Sequence, residues 1–318
     1  MKWQRIAVAT VVSVVVLATA IGFNRRTHAQ AINQLTGTYR LTSFKTTVVA
    51  TGESKDAFGK TPQGYIIYGR DGRMMTLFVK DDRPKPSDLA TMTDQERTDL
   101  FKTMVAYCGT YDFDGKTVTH HIDVSFNQIW AGTNQVRNVT FEGRKVVLTT
   151  IPAPALFDGK VSVSVLTWEK VDSVVQTPIQ LVGTYRLISY TRTVVATGET
   201  TDMFGKAPQG YIIYGRDGRM MILYVADKRP QPKDLATMTD QERVDLFKTM
   251  QSYSGTYEFD GKKVTHHVDV SWNQMWTGTD LVRNVRVEGK RVILTTMPAP
   301  SPLDGKVNVA VLTWEKVD

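Results

Sequence analysis

Histidine is the residue type in this chain best suited to proton transfer or metal binding near neutral pH. Beyond the amino-terminal segment it occurs only as two adjacent pairs, His120–His121 and His266–His267. Neighbouring side chains of a β-strand point to opposite faces, so adjacent histidines cannot converge on one metal ion. His120 shares its face with apolar residues and is expected to point inward, whereas His121 points outward. We predict no metal site and retain His120 and His266 as candidate ligand contacts.

An arginine on an apolar strand face is the second candidate group. Arg137 falls on the face of Val139 and Phe141, and Arg283 repeats this position later in the chain. Such an arginine needs a carboxylate, a set of carbonyls, an aromatic face or a bound anion. Two interpretations stay open: a structural arginine, stacked on a tryptophan or closing the base of the fold, or one that holds the anionic head of a ligand.

Aromatic side chains complete the candidate binding set. A tryptophan offers a large apolar surface and an indole N–H that needs a partner, and core packing is its alternative role. Trp168 ends a strand, where packing is favoured, whereas Trp130 lies at a strand end or loop and can line an opening. The predicted ligand contacts are Tyr39, His120, Trp130, Arg137 and Trp168, with Tyr185, His266, Trp276, Arg283 and Trp314 in matching positions.

Groups for other chemistries are missing from the sequence. The aspartates Asp71, Asp114 and Asp158 each precede a glycine and are explained by turns, which leaves no convincing acid–base pair. A nucleophile elbow, a phosphate-binding loop and a dinucleotide fingerprint are all lacking. The single cysteine, Cys108, excludes an intrachain disulfide, and Ser254 takes its place in the second half. We predict no catalytic residue and no cofactor.

The matching positions belong to a long internal repeat. The motif Leu35–Arg40 returns at Leu181–Arg186, 146 residues later, and the histidine pair and the motif around Trp168 recur with the same offset. A repeat of this length is a complete domain. We predict domains at residues 32–172 and 181–318, joined by a linker at residues 173–180, with few contacts between them.

Each copy has the pattern of short strands separated by turns. Runs of β-branched and aromatic residues alternate with Asp-Gly or Glu-Gly, and Asp-Gly suits a two-residue hairpin because both central residues need a positive φ. In the first copy strands are expected near residues 36–50, 63–70, 73–79, 107–113, 116–127, 134–142, 144–150 and 160–171. About eight such strands favour an all-β antiparallel barrel or sandwich.

One segment of each copy is predicted to be helical. Thr93 and Glu96 have the spacing of a capping box. Leu100, Phe101, Met104 and Tyr107 follow as one apolar stripe. The helix either seals a barrel end or covers a barrel mouth as a lid.

Residues 1–31 are predicted to be an export signal. Lys2 and Arg5 precede an apolar run at residues 6–23, and Ala29 and Ala31 suit a cleavage site. The alternative is an uncleaved membrane anchor; both outcomes place the domains outside the cytoplasm, in the periplasm or secreted. This segment holds four basic and no acidic residues, so the net charge of +7 falls to +3 without it. The remainder lacks basic clusters, which argues against a nucleic-acid partner.

Together these motifs resemble the lipocalin-like domain family of bacteria and fungi. The similar segments are Leu35–Leu41, Gly64–Tyr68 followed by Asp71–Met74, Tyr107–Tyr111, Val118–His121, and Trp130–Thr133 with Arg137. The resemblance covers essentially all of each copy. It implies two tandem antiparallel lipocalin-like β-barrels, each with one inserted helix and with Gly37-x-Tyr39 where lipocalins carry Gly-x-Trp. It implies little about activity, and no catalytic residues carry over from it.

Three functions are compatible with the sequence. The leading hypothesis is an exported protein that binds a small, mainly apolar ligand, including an anionic amphiphile, in each barrel, since eight-stranded barrels hold one small ligand or are filled by side chains. The first alternative is an isomerase or cyclase with His120 as acid–base and Arg137 as anion stabiliser. The second is a structural or partner-binding protein with solid barrels.

Overall fold

The computed structural model describes residues 34–86, 88, 91–155, 158–172, 179–300 and 305–317. The predicted export signal of residues 1–31 and residues 173–178 of the predicted linker lie outside the described residues. No helix within these ranges combines the length and the apolar character needed to cross a membrane.

The described part of each copy forms ten strands and one α-helix. In the first copy these are β1 (Gly37–Val48), β2 (Ser54–Asp56), β3 (Gln63–Tyr68), β4 (Arg73–Val79), α1 (Asp94–Lys102), β5 (Met104–Phe113), β6 (Thr117–Ser125), β7 (Asn134–Glu142), β8 (Lys145–Thr150), β9 (Ala153–Pro154) and β10 (Val161–Lys170). In the second copy they are β11 (Gly183–Val194), β12 (Thr200–Asp202), β13 (Gln209–Tyr214), β14 (Arg219–Val225), α2 (Asp240–Lys248), β15 (Met250–Phe259), β16 (Lys263–Ser271), β17 (Asp280–Glu288), β18 (Arg291–Thr296), β19 (Ala299–Pro300) and β20 (Val307–Lys316). Short 3₁₀ helices lie at Gln128–Trp130, Ile179–Leu181 and Gln274–Trp276.

Each copy closes into an antiparallel barrel. Neighbouring strands follow the chain from β3 to β8, and β1 pairs with β3 on one side and β10 on the other. The second copy repeats this order and its closure. The short strands β2 and β9 are additions to the edges of β1 and β10. The predicted tandem of eight-stranded barrels is confirmed.

The hairpin between β3 and β4 differs from the expected two-residue turn. Its loop spans residues 69–72, and in it only Gly72 has a positive φ, of 74°. The carboxylate of Asp71 accepts the N–H of Arg73 at 3.1 Å, which stabilises the turn from the side chain. The prediction of two positive φ values was wrong here because the aspartate supplies a hydrogen bond instead of a left-handed backbone.

The helix is shorter than its apolar stripe suggests. The capping box of Thr93 and Glu96 is present, and α1 ends at Lys102. Met104 and Tyr107, expected on the helix, lie on β5, where Met104 pairs with Val79 of β4. Backbone pairing with the sheet therefore overrides the helical period of these residues.

The two barrels pack against each other through β3–β6 and β13–β16, and the helices α1 and α2 also meet. Phe78 on β4 points into the barrel against Trp168. On the opposite face of β4 the apolar side chains join those of the second copy in one cluster, which contains Met75, Leu77, Val79, Met221, Leu223 and Val225. The expectation of few contacts between the copies was therefore wrong.

Polar contacts across this interface are reciprocal. The hydroxyl of Tyr65 donates to Asp269 and that of Tyr211 donates to Asp123, both at 3.0 Å. Each tyrosine also carries the guanidinium of an arginine from the other copy over its ring, at 4.5 and 4.6 Å. Because each of these contacts has its counterpart 146 residues away, the two copies are related as in a two-fold symmetric dimer.

Arginine side chains connect the barrels at a second place. Arg83 is buried and donates to the carbonyls of Ser271 and Trp272, both at 2.8 Å. Arg229 repeats these bonds to the carbonyls of Ser125 and Phe126. Burial lowers the pKa of Arg83 to about 9, which leaves it charged at neutral pH. Neutral carbonyls from the opposite barrel thus solvate a buried cation in each direction.

Candidate functional site

A buried tyrosine–histidine–tyrosine network occupies the interior of each barrel. His120 on β6 has no exposed surface, as the strand alternation predicts. Its Nε2 lies 2.8 Å from the hydroxyl of Tyr68, and its Nδ1 lies 3.0 Å from that of Tyr107. In the second barrel Tyr214 and Tyr253 both lie 2.8 Å from the ring nitrogens of His266. Both nitrogens of each imidazole are therefore occupied within the protein.

The buried histidines are held in the neutral form. Burial lowers the pKa of His120 well below its ordinary value, and the positive charge of Arg137 lowers it further. The same causes, with Arg283 as the cation, lower the pKa of His266. A neutral imidazole donates one hydrogen bond and accepts another, which matches its two tyrosine partners. The network therefore acts as a fixed polar element rather than a proton carrier at neutral pH.

Two further candidates belong to the packed interior. Trp168 on β10 is 1% exposed and meets Phe78 edge-on. Tyr39 on β1 is 2% exposed and packs against Tyr68, with the ammonium of Lys170 over its ring at 5.6 Å. The indole N–H of Trp168 is buried without an acceptor among the described residues. Their role in ligand binding stays a prediction.

The arginine candidates lie beside the histidine network. Arg137 on β7 is half-buried and donates to the carbonyl of Val136 at 2.9 Å. Arg283 on β17 donates to the carbonyl of Val282 at 3.0 Å. Tyr253 and Arg283 line the same small inner cavity, and burial raises the pKa of Tyr253 to about 12, which the charge of Arg283 partly offsets. The structure thus brings the predicted histidine and arginine together in each barrel.

Within the described part of the chain neither arginine stacks on a tryptophan or pairs with a carboxylate. Ion pairs there join other arginines to carboxylates, and the cation–π contacts of arginine are made by Arg73 and Arg219. Among the described residues, each of the two arginines makes a single hydrogen bond, to the carbonyl of the residue before it. An anionic group inside the barrel would supply the missing acceptors.

A large cavity opens at one end of the second barrel. This mouth cavity has a volume of about 730 Å³, and its wall contains Trp276 and Arg283 together with Tyr190 and Gln251.

The wall of this mouth cavity comes from both copies. Met92 and Arg97 of the first copy complete a wall that is otherwise formed by the second barrel. Its apolar part includes Phe204, Phe247 and Trp276, of which Trp276 was predicted as a ligand contact. The helix α1, which carries Arg97, therefore forms part of the wall at the opening of the second barrel.

The charges around the mouth cavity are mainly positive. Four cationic side chains and one carboxylate line it, and these are Arg97, Arg192, Lys248, Arg283 and Asp280. Asp94 forms ion pairs with Arg97 at 2.8 Å and with Lys248 at 3.3 Å, which moderates their charge. An apolar cavity with an excess of cations at its wall suits an amphiphile with an anionic head.

Sequence reasoning missed the polar residues of this wall. Tyr190 and Gln251 line both the mouth cavity and a smaller inner cavity of about 40 Å³, which also contains Tyr224 and Trp314. The signal was available, because the matching residues of the first copy are apolar: Phe44, Val105 and Phe78. Comparing the two copies position by position, at inward-facing sites, would have found them.

A third cavity, of about 470 Å³, lies between the two copies. Most of its wall is contributed as matching pairs, including Arg70 with Arg216 and Asp71 with Asp217. The hydroxyl of Thr184 donates to Asp71 at 2.6 Å across it. Both arginines are exposed, so this cavity is a surface cleft of the interface.

The outward histidine takes part in surface contacts. His121 Nδ1 lies 2.8 Å from Asn134, and its Nε2 lies 2.9 Å from Asp112. Asp123, on the same strand face, pairs with Arg73. Within the described ranges no three His, Cys, Asp or Glu side chains come together as metal ligands.

Comparison with known proteins bears on the fold of each copy. The profile of a family described as a lipocalin-like domain matches residues 36–171 and again residues 182–317. No curated protein matches the chain. A protein of unknown function from Nostoc punctiforme, of the DUF3598 family, is 7% identical, with 91% of this chain and 99% of that chain covered and a TM-score of 0.23. Transferrin binding protein B from Haemophilus parasuis is 8% identical, with 88% and 76% covered and a TM-score of 0.21.

Proposed function

The chain belongs to the lipocalin-like domain family, and we propose that it is an exported protein that binds small, mainly apolar ligands with an anionic head inside its barrels. The observation that carries this proposal is the mouth cavity of about 730 Å³ in the second barrel. Cavities of roughly 300–1,000 Å³ with mainly apolar walls and a few polar groups are the usual size for small-molecule sites.

The arginines support an anionic head group. Arg283 lines the mouth cavity and has no carboxylate partner among the described residues, and Arg137 has the matching position in the first barrel. A guanidinium binds a carboxylate through paired hydrogen bonds, which are strong in a partly buried site. The rest of the wall, with its phenylalanine, methionine and tryptophan side chains, suits a hydrocarbon tail.

The two alternative functions have less support. An acid–base role for His120 needs a ring nitrogen that reaches a substrate, and both of its nitrogens bond to tyrosines. A solid barrel leaves no room for a ligand, which disagrees with the cavity of the second copy. Export is proposed from the basic and apolar pattern of residues 1–31.

Replacing both arginines tests the proposed function. We expect Arg137→Leu with Arg283→Leu to weaken the binding of decanoate at least tenfold, because one or two charge-assisted hydrogen bonds of about 1.5–3 kcal/mol each are lost. Titration calorimetry gives the affinity, and thermal unfolding of the same variant reports the fold. Native mass spectrometry of freshly purified protein would identify a ligand that is carried through purification.

Arg286→Leu is the matched control. Arg286 lies on the same strand as Arg283 but is exposed and pairs with Glu288 outside the barrel. Its replacement removes the same charge without touching the cavity, so decanoate affinity should stay unchanged. A collapsed melting curve of the double variant, or unchanged decanoate affinity, would contradict the proposal and leave both arginines as scaffold.

A further inference from the structure

The two barrels differ at inward positions that are otherwise equivalent. Three apolar side chains of the first barrel, Phe44, Phe78 and Val105, correspond to Tyr190, Tyr224 and Gln251 in the second. The backbone around them is the same, because β1, β4 and β5 match β11, β14 and β15 in range and pairing. The copies therefore share one scaffold with two different linings.

In the first barrel these positions form a closed apolar cluster. Phe44 and Phe78 lie 5.8 Å apart between ring centres, and both contact Phe58. Phe44 is 6% exposed and Val105 is 1% exposed. At these three positions the first barrel therefore presents hydrocarbon alone.

In the second barrel the same cluster carries polar groups. Tyr190 and Tyr224 keep the ring packing, at 5.9 Å, and the hydroxyl of Tyr224 donates to the side-chain oxygen of Gln251. Tyr190, Gln251 and Arg283 line the same inner cavity, so these groups lie close together in the barrel. Tyr190 and Gln251 are half-buried and face the mouth cavity.

Polar groups in an apolar cavity wall are costly unless their hydrogen bonds are completed. Tyr190 and Gln251 each have capacity beyond the bonds within their cluster, since an amide offers two donors and two acceptor positions. A ligand oxygen at this depth would use that capacity, whereas a plain hydrocarbon would leave it unused. The first barrel imposes the opposite preference, because a ligand hydroxyl there would be buried without a partner.

We propose that the two barrels have diverged in ligand specificity: the second selects an amphiphile whose tail carries a hydroxyl or carbonyl oxygen, seated against Tyr190 and Gln251, and the first selects a tail of hydrocarbon alone. This inference rests on the proposed function, since it concerns the tail of the ligand whose head the arginines hold. The lining residues at the three positions are the determinants of the difference.

Single-barrel variants allow each preference to be measured in the full chain. Arg137→Leu weakens ligand binding by the first barrel, so that binding by the second barrel can be titrated. Arg283→Leu weakens binding by the second barrel and allows the first to be titrated. Dodecanoate and hydroxylated dodecanoates are the probes, and calorimetry gives the ratio of their affinities. We expect a hydroxylated acid to bind the second barrel about fivefold more tightly than dodecanoate, and the first barrel about fivefold less tightly, as one buried hydrogen bond gained or lost implies.

The decisive experiment replaces the polar side chains of the second barrel by those of the first. Tyr190→Phe, Tyr224→Phe and Gln251→Val together give the second barrel the side chains that already pack in the first, and should abolish its preference while dodecanoate still binds. An equal ratio of affinities in both barrels, or a preference that survives the exchange, would overturn the inference. Binding of dodecanoate without any such preference would leave the proposed function standing, whereas no binding of either acid to any variant would overturn both.

Discussion

The buried histidines make stability depend on pH in a definite direction. Burial keeps His120 and His266 neutral in the folded protein, with pKa values well below the ordinary value near 6.5. An unfolded chain takes up these protons as the pH falls below about 6.5, whereas the folded chain does not. The stability they contribute is therefore present above that pH and is lost as the pH falls, by at most about 1.4 kcal/mol per pH unit for each histidine.

We expect the free energy of unfolding to fall between pH 6.5 and 5, and His120→Gln with His266→Gln to flatten this dependence. The double variant should also be less stable at pH 7, because the tyrosines lose their partners. Urea unfolding at several pH values measures both effects. His121→Gln is the control: hydrogen bonds to Asn134 and Asp112 raise the pKa of His121, so its contribution has the opposite sign and is lost as the pH rises. If the free energy of unfolding of the double variant depended on pH as in the unmodified protein, the pH dependence would not come from His120 and His266.

For single residues, the sequence could predict the face of the strand on which a side chain lies. Strand alternation placed His120 inside because it depends only on neighbours along the chain. Its partners could not be predicted, since Tyr68 lies 52 residues away and Tyr107 lies 13 residues away. Which residues meet across a barrel depends on strand register, and register is fixed by the assembled sheet.

At the scale of elements, the bulge between β5 and β6 sets that register. The pairing shifts between Cys108 and Gly109, and the second copy shifts at the matching place, between Ser254 and Gly255. A side chain on Gly109 would overlap the carbonyl oxygen of His121 on the neighbouring strand. Glycine is needed here for close approach of the backbones, which a bulge commonly requires.

We therefore expect Gly109→Ala to destabilise the protein by about 2 kcal/mol or more, because the strands must separate or the bulge must shift. Gly115→Ala is the matched control: Gly115 has a φ of 99°, and its added methyl group would meet nothing within 4 Å. Its cost should be limited to backbone strain, of order 1 kcal/mol. Chemical denaturation of both variants makes the comparison, and equal losses would contradict the steric account.

The strands themselves were predictable because alternation and turn residues are local signals. The end of the helix was not, since Met104 and Tyr107 fit both the helical period and the strand that they form. Only the pairing of β5 with β4 decides between them. Local sequence therefore fixes the type of most elements, and tertiary pairing fixes their boundaries.

At the scale of the whole molecule, the packing of the two barrels was the largest feature that the sequence reading missed. The signal was the loss of alternation in β4, where six consecutive residues from Met74 to Val79 are buried. A strand buried on both faces has a continuous apolar sequence, which implies that something covers its outer side. In this chain the cover is the other copy, and the contacts are reciprocal as in a symmetric dimer.

This symmetry predicts the behaviour of one copy expressed alone. Residues 32–172 contain both the buried arginine of the interface, Arg83, and the carbonyls of Ser125 and Phe126. In the full chain those carbonyls accept hydrogen bonds from the matching arginine of the second copy, Arg229. Two such fragments can therefore rebuild both halves of the interface, and each would otherwise expose the apolar face of β4 to water. We expect the fragment to sediment as a homodimer with cooperative thermal unfolding. Arg83→Leu, which removes the buried cation and its hydrogen bonds, should shift it towards monomer or aggregate. A fragment that is monomeric, soluble and cooperatively folded would show that each barrel is independent and that the interface is not required.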